Sequence, residues 1–222
     1  MSVVENLVKE YKDFKLDIPR MPLEDQGVTA LWGASGSGKS SVVRHLIGLE
    51  SCEKMRWIFQ GQDLACMSIR DRRLGVVFQS LELFPHLSGE ENILFAVKAR
   101  KISSADYQTK IRLWKDLFEL EKFWHRPIQQ LSGGERQRIA VCRALIGSPR
   151  FLILDEPFSA LDEGLRASAR ELLKTVLQKE NVPTLLITHD QRDLEALASK
   201  VLHIHQGRLV TKDGSTQKPH AT

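Results

Sequence analysis

The chain has 222 residues, of which 42% are hydrophobic and 27% charged, and a formal net charge of +4 (32 Lys and Arg against 28 Asp and Glu). This composition excludes a disordered or collagen-like chain, and the length suits one large domain or two small ones with a real core. The apolar runs are far too short to span a membrane, the start MSVVENLVKEYKD carries no apolar signal stretch, and the scattered Cys52, Cys66 and Cys142 fit a reducing compartment rather than a disulfide framework.

In chain order, Val28-Thr29-Ala30-Leu31-Trp32 is a short β-rich run that ends at a glycine. A Gly/Ser loop follows, and Ser41 to Ile47 continues as a helix. Leu74-Gly75-Val76-Val77-Phe78 reads as another strand. From about Ser80 to Leu145 the texture is helical, and Leu113, Leu117 and Leu120 are predicted to share one apolar face of a helix within Ala105 to Phe123. Phe151 to Leu154 and Thr184 to Ile187 are the apolar runs of strands buried on both faces of a parallel sheet. The helical stretch Leu165 to Gln178 between them makes a βαβ unit. Val201 to His205 and Arg208 to Val210 are the last strands, and the tail after Asp213 is polar.

Two segments carry chemistry on their own. Gly33-Ala34-Ser35-Gly36-Ser37-Gly38-Lys39-Ser40 fits G-x-x-x-x-G-K-[ST] between a strand and a helix. Glycines let the backbone curl so that several N–H groups face one anion, Lys39 adds charge beside the β- and γ-phosphates, and the Ser40 hydroxyl is placed to ligate Mg²⁺. Phe151 to Leu154 ends in Asp155-Glu156, at the strand end where open α/β sheets hold ligands. Asp155 suits Mg²⁺ and Glu156 suits the polarisation of an attacking water. A third segment, Leu131-Ser132-Gly133-Gly134-Glu135-Arg136-Gln137-Arg138, reads alone as a serine N-cap before an amphipathic helix.

Taken together, these motifs make the sequence resemble the ATP-binding subunit of an ABC transporter. Gly33 to Ser40 resembles that family's Walker A motif, Leu131 to Gln137 its signature sequence and Phe151 to Glu156 its Walker B motif. Gln79 matches the Q-loop, Ser159-Ala160-Leu161-Asp162 the D-loop and His189 the switch histidine. Ser41 stands where threonine is common and keeps a hydroxyl; Glu135 stands where glutamine is usual. The resemblance implies an α/β fold: a P-loop NTPase core with a mainly parallel sheet, a small antiparallel β subdomain and an inserted α-helical subdomain. The core is expected over residues 1–79 and 146–222, and the helical subdomain over 80–145.

It also implies a mechanism that one chain cannot complete. Two copies, or this chain and a homologous subunit, are expected to close head to tail around two ATP molecules. Ser132 and Gly134 of one copy would face the γ-phosphate held by Lys39 of the other, and Gly133, Glu135 and Asp162 are expected among the nucleotide-binding residues. Glu156 would act as base or water positioner, His189 would bond the γ-phosphate, and Gln79 would sense γ-phosphate and Mg²⁺. Ser40, Gln79 and Asp155 are the expected Mg²⁺ set. An aromatic that stacks on adenine is expected upstream of Gly33: Tyr11 is the better match and Phe14 the competitor. His203 and His205 share a strand face, but no third metal ligand stands near them in the sequence.

Only 122 positions (155 minus 33) separate the two phosphate-site motifs, which leaves no room for a long coiled-coil insertion. Leu83-Phe84-Pro85-His86-Leu87 after Gln79 resembles the segment of bacterial small-solute importers. The expectation is therefore an ATPase on the cytoplasmic face of the inner membrane, docked on separate permease subunits with an extracytoplasmic solute-binding protein acting through them. No nucleic-acid partner is expected. The alternatives are the ATPase of a lipid or lipoprotein export system and a soluble clamp that moves no solute. The basic stretch from Lys98 to Arg126 reads as a solvated helical face.

Overall fold

The computed structural model describes residues 2–210. The polar tail after Asp213 lies outside the described residues. The described residues form ten strands and six α-helices. The first two strands, β1 (Ser2–Glu10) and β2 (Lys15–Leu23), form a hairpin. Then come β3 (Val28–Trp32), α1 (Lys39–Leu46), β4 (Arg56–Phe59), β5 (Gln62–Asp63) and β6 (Leu74–Val77). Helices α2 (Gly89–Arg100), α3 (Ser104–Leu117) and α4 (Gly133–Leu145) follow without an intervening strand. The chain ends its described part with β7 (Phe151–Asp155), α5 (Glu163–Glu180), β8 (Thr184–Thr188), α6 (Gln191–Leu197), β9 (Lys200–His205) and β10 (Arg208–Val210).

Two sheets result. The first is antiparallel, in the order β2-β1-β4-β5. The second has six strands in the order β10-β9-β3-β8-β7-β6, parallel from β9 to β6, with β10 antiparallel at its edge. Its central strands are buried on both faces because successive side chains point to opposite sides. Ala30, Leu152, Leu154 and Leu186 pack into the core shared with the helices after β6. Leu31, Phe151, Ile153, Leu185 and Ile187 pack into the core shared with the antiparallel sheet and α1. Phe151 joins the two sheets: the rings of Trp57 and Phe59 meet it edge-on at 5.2 and 5.9 Å.

The inward face of α3 differs from the sequence expectation. Tyr107, Ile111 and Trp114 are its buried residues, and Phe118 continues the stripe. Leu117 and Leu120 do reach the core, but Leu113 is 55% exposed. Spacing of four, three and four brings 107, 111, 114 and 118 onto one side, and larger aromatic side chains occupy it.

The parallel arrangement sends the C-terminal ends of β3, β6, β7 and β8 to one edge of the sheet. The Gly33 loop, Gln79, Asp155-Glu156 and His189 all follow those ends. Residues separated by as many as 156 positions (189 minus 33) therefore line one edge of the sheet, where open α/β folds hold ligands.

Candidate nucleotide site

The backbone curls the phosphate loop around an anion-sized centre. Gly36 and Gly38 take φ of 76° and 107°, a region that side chains avoid. A Cβ on Gly33 would lie 2.4 Å from the Ile204 carbonyl oxygen, so only glycine lets the loop lie on β9. Lys39 is buried, and its Nζ donates to the carbonyls of Gly33 (2.9 Å) and Ala34 (2.8 Å) across the loop. Gly38 is the N-cap of α1 and has no side chain to cap it, so the first N–H groups of the helix stay open towards a ligand. The buried Ser37 Oγ has no hydrogen-bond partner among the described residues. An open ring of donors, an orphaned hydroxyl and a buried ammonium fit a polyphosphate.

Asp155 and Glu156 are neighbours in the chain but stand in different surroundings. Asp155 ends β7, and burial, reinforced by the Glu156 charge and opposed by Lys39, pushes its carboxyl up to about 6. A carboxylate held in that way beside a phosphate loop fits a divalent cation. Glu156 turns out of the strand with φ 47°, an uncommon conformation for a non-glycine residue. Its N–H still donates to Ile187 O (2.9 Å), and its carbonyl accepts from Ser159 Oγ (2.9 Å). The turn brings Oε1 to 3.0 Å from His189 Nδ1 and Oε2 to 3.4 Å from Gln79 Nε2. The three side chains border one cavity of about 160 Å³, which Arg166 and Ser159 also line.

Ser132, Gly133, Gly134 and Glu135 do not line that cavity. Ser132 caps α4 in a reciprocal box: its Oγ accepts from Glu135 N (3.3 Å), and Glu135 Oε2 accepts from Ser132 N (2.7 Å). Arg126 holds the other Glu135 oxygen at 3.4 Å. Asp162 is occupied in the same manner, as the N-cap of α5 through Leu165 N (3.0 Å). The structure thus gathers Gly33 to Ser41, Gln79, Asp155, Glu156 and His189 at one sheet edge, and leaves the Ser132 segment outside the Glu156 cavity.

Tyr11 and Phe14 follow β1 and face each other at 5.8 Å. Tyr11 is tied to the far end of α1: its hydroxyl lies 3.0 Å from His45 Nε2 and donates to Glu50 Oε2 at 2.5 Å. Burial, with Glu50 adding to it, pushes the phenol up to about 12. Phe14 lies against the loop itself, where a Cβ on Gly38 would meet its Cζ at 2.7 Å. His203 stacks edge-on against Trp32 at 5.3 Å, an ordinary packing contact.

One buried network was not anticipated from the sequence. Arg170, Asp190, Asp193 and Thr188 are linked behind His189. The acids flank a helix start, where carboxylates are ordinary, so nothing local marks them.

A loop for phosphates, a cation-ready carboxylate and a glutamate beside a histidine define the site of a P-loop nucleotide hydrolase. The family model of the ABC transporters matches residues 16–159. A probable sulfate/thiosulfate import ATP-binding protein of Chlorella vulgaris is 39% identical over 220 residues, covering 98% of this chain and 93% of its own. An Fe(3+) ions import ATP-binding protein of Pasteurella multocida is 34% identical over 211 residues, covering 95% of this chain and 60% of its own. The chain spans about three fifths of that protein and of a sulfate/thiosulfate relative in Agrobacterium fabrum (37% identity, 93% of this chain and 62% of its own). Among solved structures, an ATP-binding cassette in a dimeric post-hydrolysis state with ADP and Pi superposes with a TM-score of 0.78 at 24% identity, covering 94% of this chain and 96% of its own. The chain belongs to the ABC transporter family and is an ABC-type ATPase.

Proposed function

We propose that this chain is the ATP-hydrolysing subunit of a solute importer and works as a head-to-tail dimer with a second copy or a homologous subunit. The observation that carries the reading is the convergence of Gln79, Glu156 and His189 on one cavity at the sheet edge that bears the phosphate loop, with Ser132 to Glu135 placed outside it. Such a half-site needs an anion-binding helix end from elsewhere, and a second copy supplies one.

Bound Mg-ATP supplies the γ-phosphoryl group and the cation that neutralises its charge. Lys39 exchanges its two carbonyl contacts for β- and γ-phosphate oxygens. Ser40, Gln79 and Asp155 would hold Mg²⁺. Glu156 orients the attacking water and takes its proton, and His189 donates to a γ-phosphate oxygen. Ser132, Gly134 and Asp162 of the partner close the site.

The relatives named for sulfate/thiosulfate and iron import support a small-solute importer. No helix among the described residues is long and apolar enough to cross a membrane. The proposed permease dock is the groove of about 270 Å³ lined by Gln79, Leu83, Pro85, Ile128 and Arg136; Phe84, between two of these residues in the chain, meets the exposed Phe95 at 4.5 Å. Residues 80–145 are the helical subdomain that carries this dock, and the rest is the core. The protein then sits peripherally on the cytoplasmic face of the inner membrane, with a solute-binding protein acting through the permease.

Affinity capture of the chain from detergent-solubilised native membranes tests this. A stoichiometric multi-span protein is expected. Recovery at native expression without any membrane protein would remove the importer reading and leave a soluble ATPase.

A further inference from the structure

Helix α5 carries Arg166 and Arg170 one turn apart, and they bind two different turns. Arg166 Nε donates to Leu161 O at 2.8 Å and Nη2 to Ser159 O at 3.4 Å, within the turn after Glu156. Arg170 is 6% exposed, and its Nε donates to Asp193 Oδ1 at 2.5 Å and Nη2 to Asp190 Oδ2 at 3.0 Å.

Asp193 is 3% exposed, and its second oxygen accepts from Thr188 Oγ1 at 2.7 Å. That hydroxyl in turn accepts from the Asp190 N–H at 3.0 Å. His189 therefore sits between two residues that are both secured to one guanidinium. Its ring reaches Glu156 at 3.0 Å, while the carbonyl of Glu156 accepts from Ser159 in the turn that Arg166 holds.

Energy alone does not account for this arrangement. Buried ion pairs add little net stability over apolar side chains of the same volume. What a guanidinium adds is direction, because its planar fork bonds two carboxylates at fixed angles. The carboxylates here are Asp190, in the turn that aims His189, and Asp193, in the first turn of α6 and bonded to Thr188.

We propose that Arg170 is a positioning residue for ATP hydrolysis: through Asp190, Asp193 and Thr188 it sets the 188–190 turn, and so the His189 ring, against Glu156. With Arg166 it ties the histidine turn and the Ser159–Asp162 turn to a single helix, so that the two turns move together. This rests on the roles of His189 and Glu156 proposed above.

The test is steady-state ATP hydrolysis by the full chain and by Arg170→Lys, His189→Ala and the double variant. A lysine keeps the charge but cannot bridge both carboxylates. Arg170→Lys is expected to lower kcat about tenfold with KM for ATP unchanged. In the His189→Ala background the same change is expected to alter kcat by less than about twofold, because its route to the chemistry is already cut. Asp193→Asn, which keeps the side-chain size, is expected to repeat this pattern.

Unchanged kcat in Arg170→Lys overturns the proposal. So does an equal fall in both backgrounds, which is the mark of general structural damage. Full activity of His189→Ala alone removes the histidine assignment, a result distinct from either.

Discussion

His189 and Glu156 follow different strands 33 positions apart (189 minus 156), and their side chains meet at 3.0 Å. β8 lies beside β7 in the sheet, and the left-handed Glu156 swings its carboxylate towards the residue that follows β8. Glu156→Gln preserves the shape of this contact and removes the base. ATP hydrolysis should fall by at least about a hundredfold while ATP affinity is retained. Hydrolysis at the normal rate in this variant means that another group activates the water.

Asp155 makes the stability of the chain sensitive to pH. Its carboxyl sits at about 6 against an ordinary value of 3.8, so the folded chain holds the proton more tightly than the unfolded chain. Stability of the nucleotide-free protein should therefore fall as pH rises between those two values, by about 3 kcal/mol, and stay level above. Asp155→Asn should raise urea stability by a similar amount at about pH 8 and change it little near pH 3. The same variant should lose Mg²⁺-dependent hydrolysis. A destabilised Asp155→Asn protein at high pH contradicts the desolvation argument.

Tyr11 and Phe14 are the two candidates for the proposed adenine stack. Tyr11 offers a ring anchored by His45 and Glu50, and Phe14 a ring lying on Gly38. Tyr11→Ala should weaken ATP binding more than Phe14→Ala, by roughly 1–2 kcal/mol, read by nucleotide titration. The reverse order moves the stack to Phe14.

Ser132 caps its own helix and does not line the Glu156 cavity. If the second half-site comes from another copy, turnover per chain should rise with chain concentration until the dimer saturates. Ser132→Arg should abolish turnover and leave ATP affinity intact. Turnover independent of dilution, with active Ser132→Arg, would contradict the shared site.

Arg72 reports on the join between α1 and the segment after β5. It is 7% exposed, and its guanidinium donates to Leu46 O (2.6 Å), Ala65 O (3.0 Å) and Met67 O (3.3 Å), bridging the end of α1 to the segment after β5. Arg72→Ala leaves those carbonyls short of a donor and should cost about 3 kcal/mol in a urea unfolding curve. A loss below about 1 kcal/mol would show that water replaces the guanidinium there.

The phosphate loop and the two acids at the end of β7 were legible in the sequence because each is contiguous: glycines, a lysine and a helix start act within eight positions of the chain. The buried strands were legible for the same reason, since an unbroken apolar run needs both faces covered. Leu113 was misplaced because helical spacing admits more than one stripe, and Tyr107, Ile111 and Trp114 offered the larger apolar area.

What the sequence determined by itself is thus the set of local devices: the anion cradle, the carboxylate pair, the cap at Ser132. Tertiary structure alone decided which of them meet. Glu156 finds His189 and Gln79 because β8 and β6 flank β7, and Arg170 finds Asp190 and Asp193 because α5 packs beside α6. Strand order and helix packing are set by the whole core, through non-directional burial summed over many side chains, and no short window of sequence carries that sum.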